Sequence, residues 1–457
     1  MTTFAGNIFR AYDIRGVVGE DFDESWVKRL GLAAGAHFQK HGLRRCVVGR
    51  DVRASSEPCE AALVEGLLAA GVDVMLLGEV PTPVFYFAVL RLNTRAGVVV
   101  TASHNPPQYN GFKIWRGATT IHGEEIQQIR RIIEAGPMPA DAPGLLSRHD
   151  ILPAYYHDAL SKVRIPAPLK IVLDAGNGVA GPVCLELLRR AGVDVVPLYC
   201  DPDGRFPNHH PDPMVEANLE DLKAKVLAEG AHLGVAVDGD GDRLGAVDET
   251  GAFLAADRLL ALFARDVLED LPGAQIIGDV KCTQLLFDDI KAHGGKAVMA
   301  ATGHSLMKAK ILETGAPLAG ELSGHIFFND RHHGYDDAAY AALRLVEILA
   351  KDPATPLSGR LADWPPLATT PEQRIHCPDD IKFEVVQSVR DRLGKEHSVV
   401  DIDGVRVAFS DGWGLLRASN TEPDLVLRFE ASSWEQAEAN KKTVMEALNQ
   451  ALQEIGG

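Results

Sequence analysis

The first residues, MTTFAGNIFRAYDIRG, contain no apolar run long enough for a signal peptide or a membrane span. The six cysteines, at 46, 59, 184, 200, 282 and 377, stand apart with no C-x-x-C pair. That spacing excludes a disulfide frame or a cysteine zinc site and predicts reduced thiols in a cytoplasmic protein. Positive charge is scarce: 46 Lys and Arg face 63 Asp and Glu, for a net charge of −17. Such a balance argues against a general nucleic-acid binder. It also means that a protein handling an anion must gather its few cations locally. No G-x-S-x-G elbow surrounds Ser103, so acyl transfer through that serine is not expected. Apolar residues, by contrast, make up 46 % of the 457-residue chain, enough for several domains with ample cores.

Three segments repeat one order of events. VVGRD (47–51), a helical stretch and AGVDVMLLG (70–78) form the first. KIVLDAGNG (170–178), a helix opening at Pro182 and AGVDVVPL (191–198) form the second; QIIGDV (275–280), a helix and GGKAVMA (294–300) form the third. A short apolar strand, a turn, a helix and a second apolar strand make a β-α-β rhythm, which predicts mixed or parallel sheets covered by helices. Each copy then runs through a strand, a polar loop and a strand: GVVV-TASHNPPQYNG-FKIW, LGVAV-DGDGDR-LGAVD and APLAG-ELSGH-IFF. The tail differs. Short strands with tight turns precede a helix on which Ser433 and Gln436 are spaced as a capping box, and ADWPPLATTPEQ (362–373) reads as its linker. The expected fold is α/β: three related mixed domains (1–149, 150–252, 253–364) and a smaller C-terminal α+β domain (365–457), with the unusual loops gathered into one cleft.

Each loop has a chemistry. Pro106 and Pro107 forbid helix or central strand, so Ser103 sits on a stiff loop just past a strand end. DGDGDR sets Asp238, Asp240 and Asp242 at alternate positions, where three carboxylates repel one another unless a hard cation such as Mg²⁺ sits among them. An EF-hand is excluded, because Arg243 stands where that motif needs glycine and strand-like segments flank the loop. GELSGH offers the acceptor Glu321, the hydroxyl of Ser323 and the donor His325, a set that suits either a sugar diol or a plain turn. RASNT carries Arg417, Ser419, Asn420 and Thr421, a phosphate grip or a hydrophilic hairpin loop. Arg15, Lys113, Arg243, Lys281 and His304 lie at turns and, taken singly, read as surface charges. A serine is a weak nucleophile alone, so a metal loop and a phosphate grip point to a serine that carries phosphate.

Together TASHNPPQYNGFK, DGDGDR, GELSGH and RASNTEPDLVLRFE resemble the phosphoserine, metal, sugar and phosphate loops of the α-D-phosphohexomutase family, in the family's order and over nearly the whole chain. FRAYDIRG and the wording of the last two loops are most similar to its bacterial phosphomannomutase/phosphoglucomutase branch. The resemblance implies four domains around a central cleft, Mg²⁺, and a glucose 1,6-bisphosphate intermediate. It implies phosphorylated Ser103, with Asp238, Asp240 and Asp242 as metal ligands joined by a phosphoserine oxygen. Glu321 and Ser323 would hold the sugar's 3- and 4-hydroxyls, and Arg417, Ser419, Asn420 and Thr421 the non-reacting phosphate. Tyr12, Arg15, Lys113, Arg243, Lys281, His304 and His325 would line the cleft, with Lys113 as general base. The expected activity is interconversion of hexose 1-phosphate and hexose 6-phosphate by a cytoplasmic monomer whose partners are sugar phosphates, with no nucleic acid and no membrane. Two rivals are a phosphoglucosamine mutase, which would carry Gln where Leu322 stands, and a metal-dependent sugar phosphatase, which needs a base to activate water.

Overall fold

The computed structural model describes residues 8–419 and 422–455. The strands form where β-branched runs are long enough to be buried on both faces. Ala96–Val100 (AGVVV) and Leu233–Val237 (LGVAV) are buried at every position, as central strands of a covered sheet require.

The three repeats fold alike. In the first, the strands in chain order are Arg45–Arg50, Asp73–Glu79, Ala96–Val100 and Tyr109–Arg116. In the second they are Lys170–Asp174, Asp194–Leu198, Leu233–Val237 and Leu244–Asp248; in the third, Gln275–Asp279, Lys296–Ala300, Leu318–Gly320 and Ile326–Phe328. In space each set runs fourth, third, first, second. The first strand is parallel to both the second and the third, and the third is antiparallel to the fourth. The loop joining third to fourth strand therefore leaves the carboxyl end of a parallel strand, the end at which open α/β sheets place their ligands. Ile14–Val17 adds to the first sheet beside Tyr109–Arg116, and Phe253–Leu254 adds to the second beside Leu244–Asp248.

Helices cover both faces. Asp23 caps Glu24–Lys40 by accepting the Trp26 N–H at 2.8 Å, and Thr283 and Asp337 cap Gln284–Ala292 and Ala338–Lys351 in the same manner. A second helix, absent from the sequence reading, follows the second strand of each unit: Thr82–Arg91, Glu220–Glu229 and His304–Thr314. The helix expected to open at Pro182 begins at Ala180. One apolar cluster runs without a break from Val47 to Leu361 and ties the three units together. Phe87 meets Tyr155 edge-on at 5.7 Å, and Tyr86 meets Tyr335 at 5.5 Å.

The tail is α+β, with its own core. Its antiparallel sheet runs Ala368–Thr369, Asp424–Ala431, Gly412–Ala418, Val405–Phe409, Ser398–Val400, with Gln373–His376 also on Asp424–Ala431. The stretch expected as a linker thus contributes a strand. Only half of the expected capping box forms: Ser433 Oγ accepts the Gln436 N–H at 3.3 Å, but the Gln436 side chain donates to Asn440 instead. All six cysteines are free and buried. Among the described residues no helix is long and apolar enough to cross a membrane.

Candidate active site

The three hairpin loops meet. Ser103 is buried and takes a positive φ of 52°, a left-handed conformation that costs a non-glycine residue energy. Its Oγ donates to Asp238 Oδ2 at 2.6 Å and lies 3.0 Å from His104 Nδ1, while its N–H donates to Thr101 Oγ1 at 2.9 Å. The aspartate loop DGDGDR presses on this serine from the second unit. A Cβ at Gly239 would stand 2.5 Å from the Ser103 carbonyl oxygen, so only glycine permits the approach.

Asp238, Asp240 and Asp242 each offer an oxygen, all within 4.8 Å of one another, on a loop that joins two antiparallel strands. Asp238 Oδ1 accepts the N–H groups of Gly241, Asp242 and Arg243 at 3.0–3.1 Å, which curls the loop round it. Burial, then Asp242 and Asp240, push the Asp238 carboxyl well above its ordinary range. Asp242 is also buried, but Lys113 and His325 hold it well below. Asp240 Oδ1 is buried with no hydrogen-bond donor, and Asp242 Oδ1 has only His325 Nε2, at 3.2 Å. Buried carboxylate oxygens so poorly satisfied fit a hard divalent cation.

Lys113 reaches in from Tyr109–Arg116, donating to Asp240 Oδ2 at 2.7 Å and to Asp242 Oδ2. Burial works against its charge, yet the two aspartates outweigh it and raise its pKa above the ordinary lysine value. Lys113, the general base expected from the resemblance, is thus the charged partner of both aspartates here. Thr82 Oγ1 also donates to Asp240 Oδ2 at 2.6 Å. Arg15 donates to Asn105 Oδ1 at 2.6 Å on the serine loop and pairs with Asp13.

The DGDGDR and GELSGH loops are joined by backbone: Arg243 and His325 form a β-bridge, and the Leu244 N–H donates to the Gly324 carbonyl at 3.0 Å. His325 lies between Glu321, whose Oε2 is 2.9 Å from its Nδ1, and Asp242, whose Oδ1 is 3.2 Å from its Nε2. Burial alone would neutralise His325, but Asp242 and Glu321 push its pKa up to about 9. The Ser323 hydroxyl is 3.0 Å from His325 Nδ1, and Glu321 Oε1 accepts the Gly303 N–H. His304 contacts Lys308 and stacks edge-on to Tyr12; burial and Lys308 lower its pKa well below the usual value. Tyr12 donates to the Thr302 carbonyl at 2.7 Å.

The fourth domain closes the ring. Asp403 accepts both from Arg417 Nε and from the Thr302 N–H of the third unit, each at 3.0 Å. Ser419 is buried; its Oγ accepts the Glu422 N–H at 3.1 Å and its carbonyl accepts Lys382 Nζ at 2.6 Å. Lys281 lies 3.4 Å from Glu372 at the same junction. Asn420 and Thr421 lie outside the described residues. His104, Thr82, Asp403 and Lys382 were not singled out from sequence. His104 sits inside the serine motif; the others touch the loops across long sequence separations, which no local pattern marks. Three other groups among the described residues could offer three metal ligands: Asp242–His325–Asp336 shares Asp242 with the aspartate cluster, Arg116 already binds Glu125 of His37–His41–Glu125, and Lys162 stands inside Asp158–His332–His333.

Against known proteins, the chain matches the four "Phosphoglucomutase/phosphomannomutase" domain descriptions in order. Alpha/beta/alpha domains I, II and III match over residues 6–139, 153–251 and 255–367, and the C-terminal domain over 372–447. It is 47 % identical over 440 residues to a phosphomannomutase/phosphoglucomutase of Pseudomonas aeruginosa, covering 96 % of this chain and 95 % of that one. It is 44 % identical over 437 residues to a phosphoglucomutase of Neisseria meningitidis serogroup A, covering 95 % of each. Among solved structures, a phosphoglucomutase/phosphomannomutase family protein from Burkholderia thailandensis superposes with a TM-score of 0.92 at 44 % identity, covering 98 % of both chains.

Proposed function

Because the chain belongs to the phosphoglucomutase/phosphomannomutase family and is an isomerase, we propose that it interconverts the 1- and 6-phosphates of glucose and mannose through phosphoserine 103 and a hexose 1,6-bisphosphate. The observation that carries this reading is the 2.6 Å contact between Ser103 Oγ and Asp238 inside a cluster of three buried aspartates, one of which, Asp240, has an orphaned oxygen. Asp238, Asp240 and Asp242 would hold Mg²⁺, which when bound neutralises charge on the transferring phosphoryl group.

This chain's own residues supply the rest. The free sugar hydroxyl attacks phosphorus, the P–Oγ bond breaks, and the proton that hydroxyl gives up ends on the departing Ser103 oxygen, beside which His104 Nδ1 lies at 3.0 Å. The bisphosphate turns over, its other phosphate returns to Ser103, and the hydroxyl proton is restored to the sugar. Arg15, Lys113 and Arg243 surround the phosphoryl group with positive charge, and His304 and His325 line the same wall. Glu321 and Ser323 hold O3 and O4. Arg417, Ser419, Asn420 and Thr421 hold the idle phosphate, with Tyr12 and Lys281 beside it. Most of the rate then comes from positioning and charge neutralisation.

The test pairs a coupled assay with intact-mass measurement. Glucose 1-phosphate and mannose 1-phosphate should both be converted, and glucosamine 1-phosphate poorly. Phosphate should map to Ser103, and Ser103→Ala should lose nearly all turnover while remaining folded. Full activity of that variant would overturn the phosphoserine, and hydrolysis in place of isomerisation would favour a phosphatase.

A further inference from the structure

Arg53 lies outside the loops assigned so far. It is 1 % exposed, on the turn after Arg45–Arg50, yet it is the residue most heavily bonded to the serine loop. A guanidinium has five N–H donors, and here each has an acceptor. Nε donates to Asp51 Oδ2 at 3.1 Å. Nη1 donates to the carbonyls of Pro106 at 2.6 Å and Tyr109 at 3.2 Å. Nη2 donates to the carbonyls of Ser103 at 2.8 Å and Asn105 at 2.6 Å. Two of these carbonyls, of Asn105 and Pro106, belong to bonds that precede a proline, so the loop there offers acceptors without matching N–H donors.

Asp51 completes the frame. It accepts the Arg53 N–H at 3.0 Å and the Thr101 hydroxyl at 2.9 Å, and Thr101 Oγ1 in turn accepts the Ser103 N–H. Phe206 of the second unit, itself at a φ of 47°, covers the guanidinium at 5.1 Å. The peptide between Ser103 and His104 is trans, so a carbonyl pinned on Arg53 turns the His104 N–H to the opposite side. Among the described residues no acceptor takes that N–H.

We propose that Arg53 is the positioning residue of the serine loop: it holds Ser103 in its left-handed conformation, turns the His104 N–H toward the phosphoryl group, and registers the loop against the metal-bearing unit through Phe206. The phosphoryl part of this rests on the phosphoserine reading. Arg53 touches no reacting atom and acts only through the loop. Lysine keeps the charge but has three donors without the planar fork, so it cannot replace the five bonds.

The test is Arg53→Lys, with wild type beside it. Misplacing the loop should lower kcat about 100-fold, while KM for glucose 1-phosphate stays within about threefold because the sugar and phosphate grips are untouched. The Mg²⁺ dependence should not move. Hydrogen exchange at Asn105 and Tyr109 should quicken while that of Ala96–Val100 does not. Wild-type kcat in a folded Arg53→Lys protein overturns the proposal. So does a proportional loss of kcat and melting temperature with exchange faster everywhere, which marks a merely structural residue. Should the variant not fold, wild-type exchange decides: protection of Asn105 and Tyr109, whose N–H groups bond to the Ala102 and Pro106 carbonyls, comparable to the core supports the clamp, and exchange as in an open loop refutes it. Ser103 found free of phosphate in a wild type that still turns over would refute the phosphoserine reading, while the exchange result would still judge the clamp.

Discussion

At the scale of single residues the site is a set of opposed charges, and its state depends on what fills it. Asp238 carries the repulsion of two neighbouring carboxylates, Asp242 and Asp240. Asp238→Asn keeps an oxygen for the three loop N–H groups and removes that repulsion. The variant should melt at least as high as wild type in EDTA, by about 1 kcal/mol, while losing the stabilisation that Mg²⁺ gives wild type; thermal melts with and without metal check both. His325 gives a pH dependence. Its folded pKa of about 9 lies above the ordinary histidine value near 6.5, so its contribution is complete below pH 6.5 and is lost as pH rises through 9. Metal-free protein should therefore lose on the order of 2–3 kcal/mol over that window, and urea titrations of His325→Gln should show a flatter profile. Glu321→Gln tests sugar choice. O3 and O4 are equatorial in glucose and mannose alike, and no residue named here reads C2. The variant should lose roughly 1.5–3 kcal/mol of transition-state binding for both sugars equally. A wild-type preference of several hundredfold between the two would mean that another residue contacts C2. The four loops were legible in the sequence because each concentrates its chemistry within a few consecutive residues. Arg53 and Asp403 were not, since their partners lie 50 and 101 residues away.

At the scale of elements, strands were easier to read than helices. Runs such as GVVV and KIVLD admit one interpretation, whereas Thr82–Arg91, buried from Thr82 through Val89, has neither a polar face nor helix-favouring composition. Its Val and aromatic residues are those of a strand. Close helix packing is another property that periodicity conceals. Glu24–Lys40 crosses Ser56–Ala69 so tightly that a Cβ at Gly66 would stand 2.1 Å from the Lys28 carbonyl oxygen and 2.7 Å from the Leu32 nitrogen. Both are backbone atoms that cannot swing aside. Gly66→Ala should destabilise the first domain by about 1–3 kcal/mol even though alanine is the better helix former. Denaturant titration would measure it, and an unchanged midpoint would mean that the helices can part freely.

At the scale of the molecule, the threefold recurrence of one strand order was legible as a repeat, and it explains why three loops of unlike chemistry reach one place. The continuity of the core was not legible, because nothing in a repeat says whether its copies share their interiors or merely touch. They share them: the cluster beginning at Val47 closes only with Leu357 and Leu361. On the ribosome this imposes a delay. Phe87 emerges roughly 250 residues before Tyr335, which at 5–20 residues per second is about 12–50 s. Through that interval the nascent first sheet carries an uncovered apolar face. A chain stopped at residue 149 should accordingly bind a hydrophobic dye and engage holdase chaperones, and both signals should vanish in a chain stopped near residue 365. For this protein, the same contacts that give three copies one shared interior make its birth a period of dependence on the cell's folding machinery.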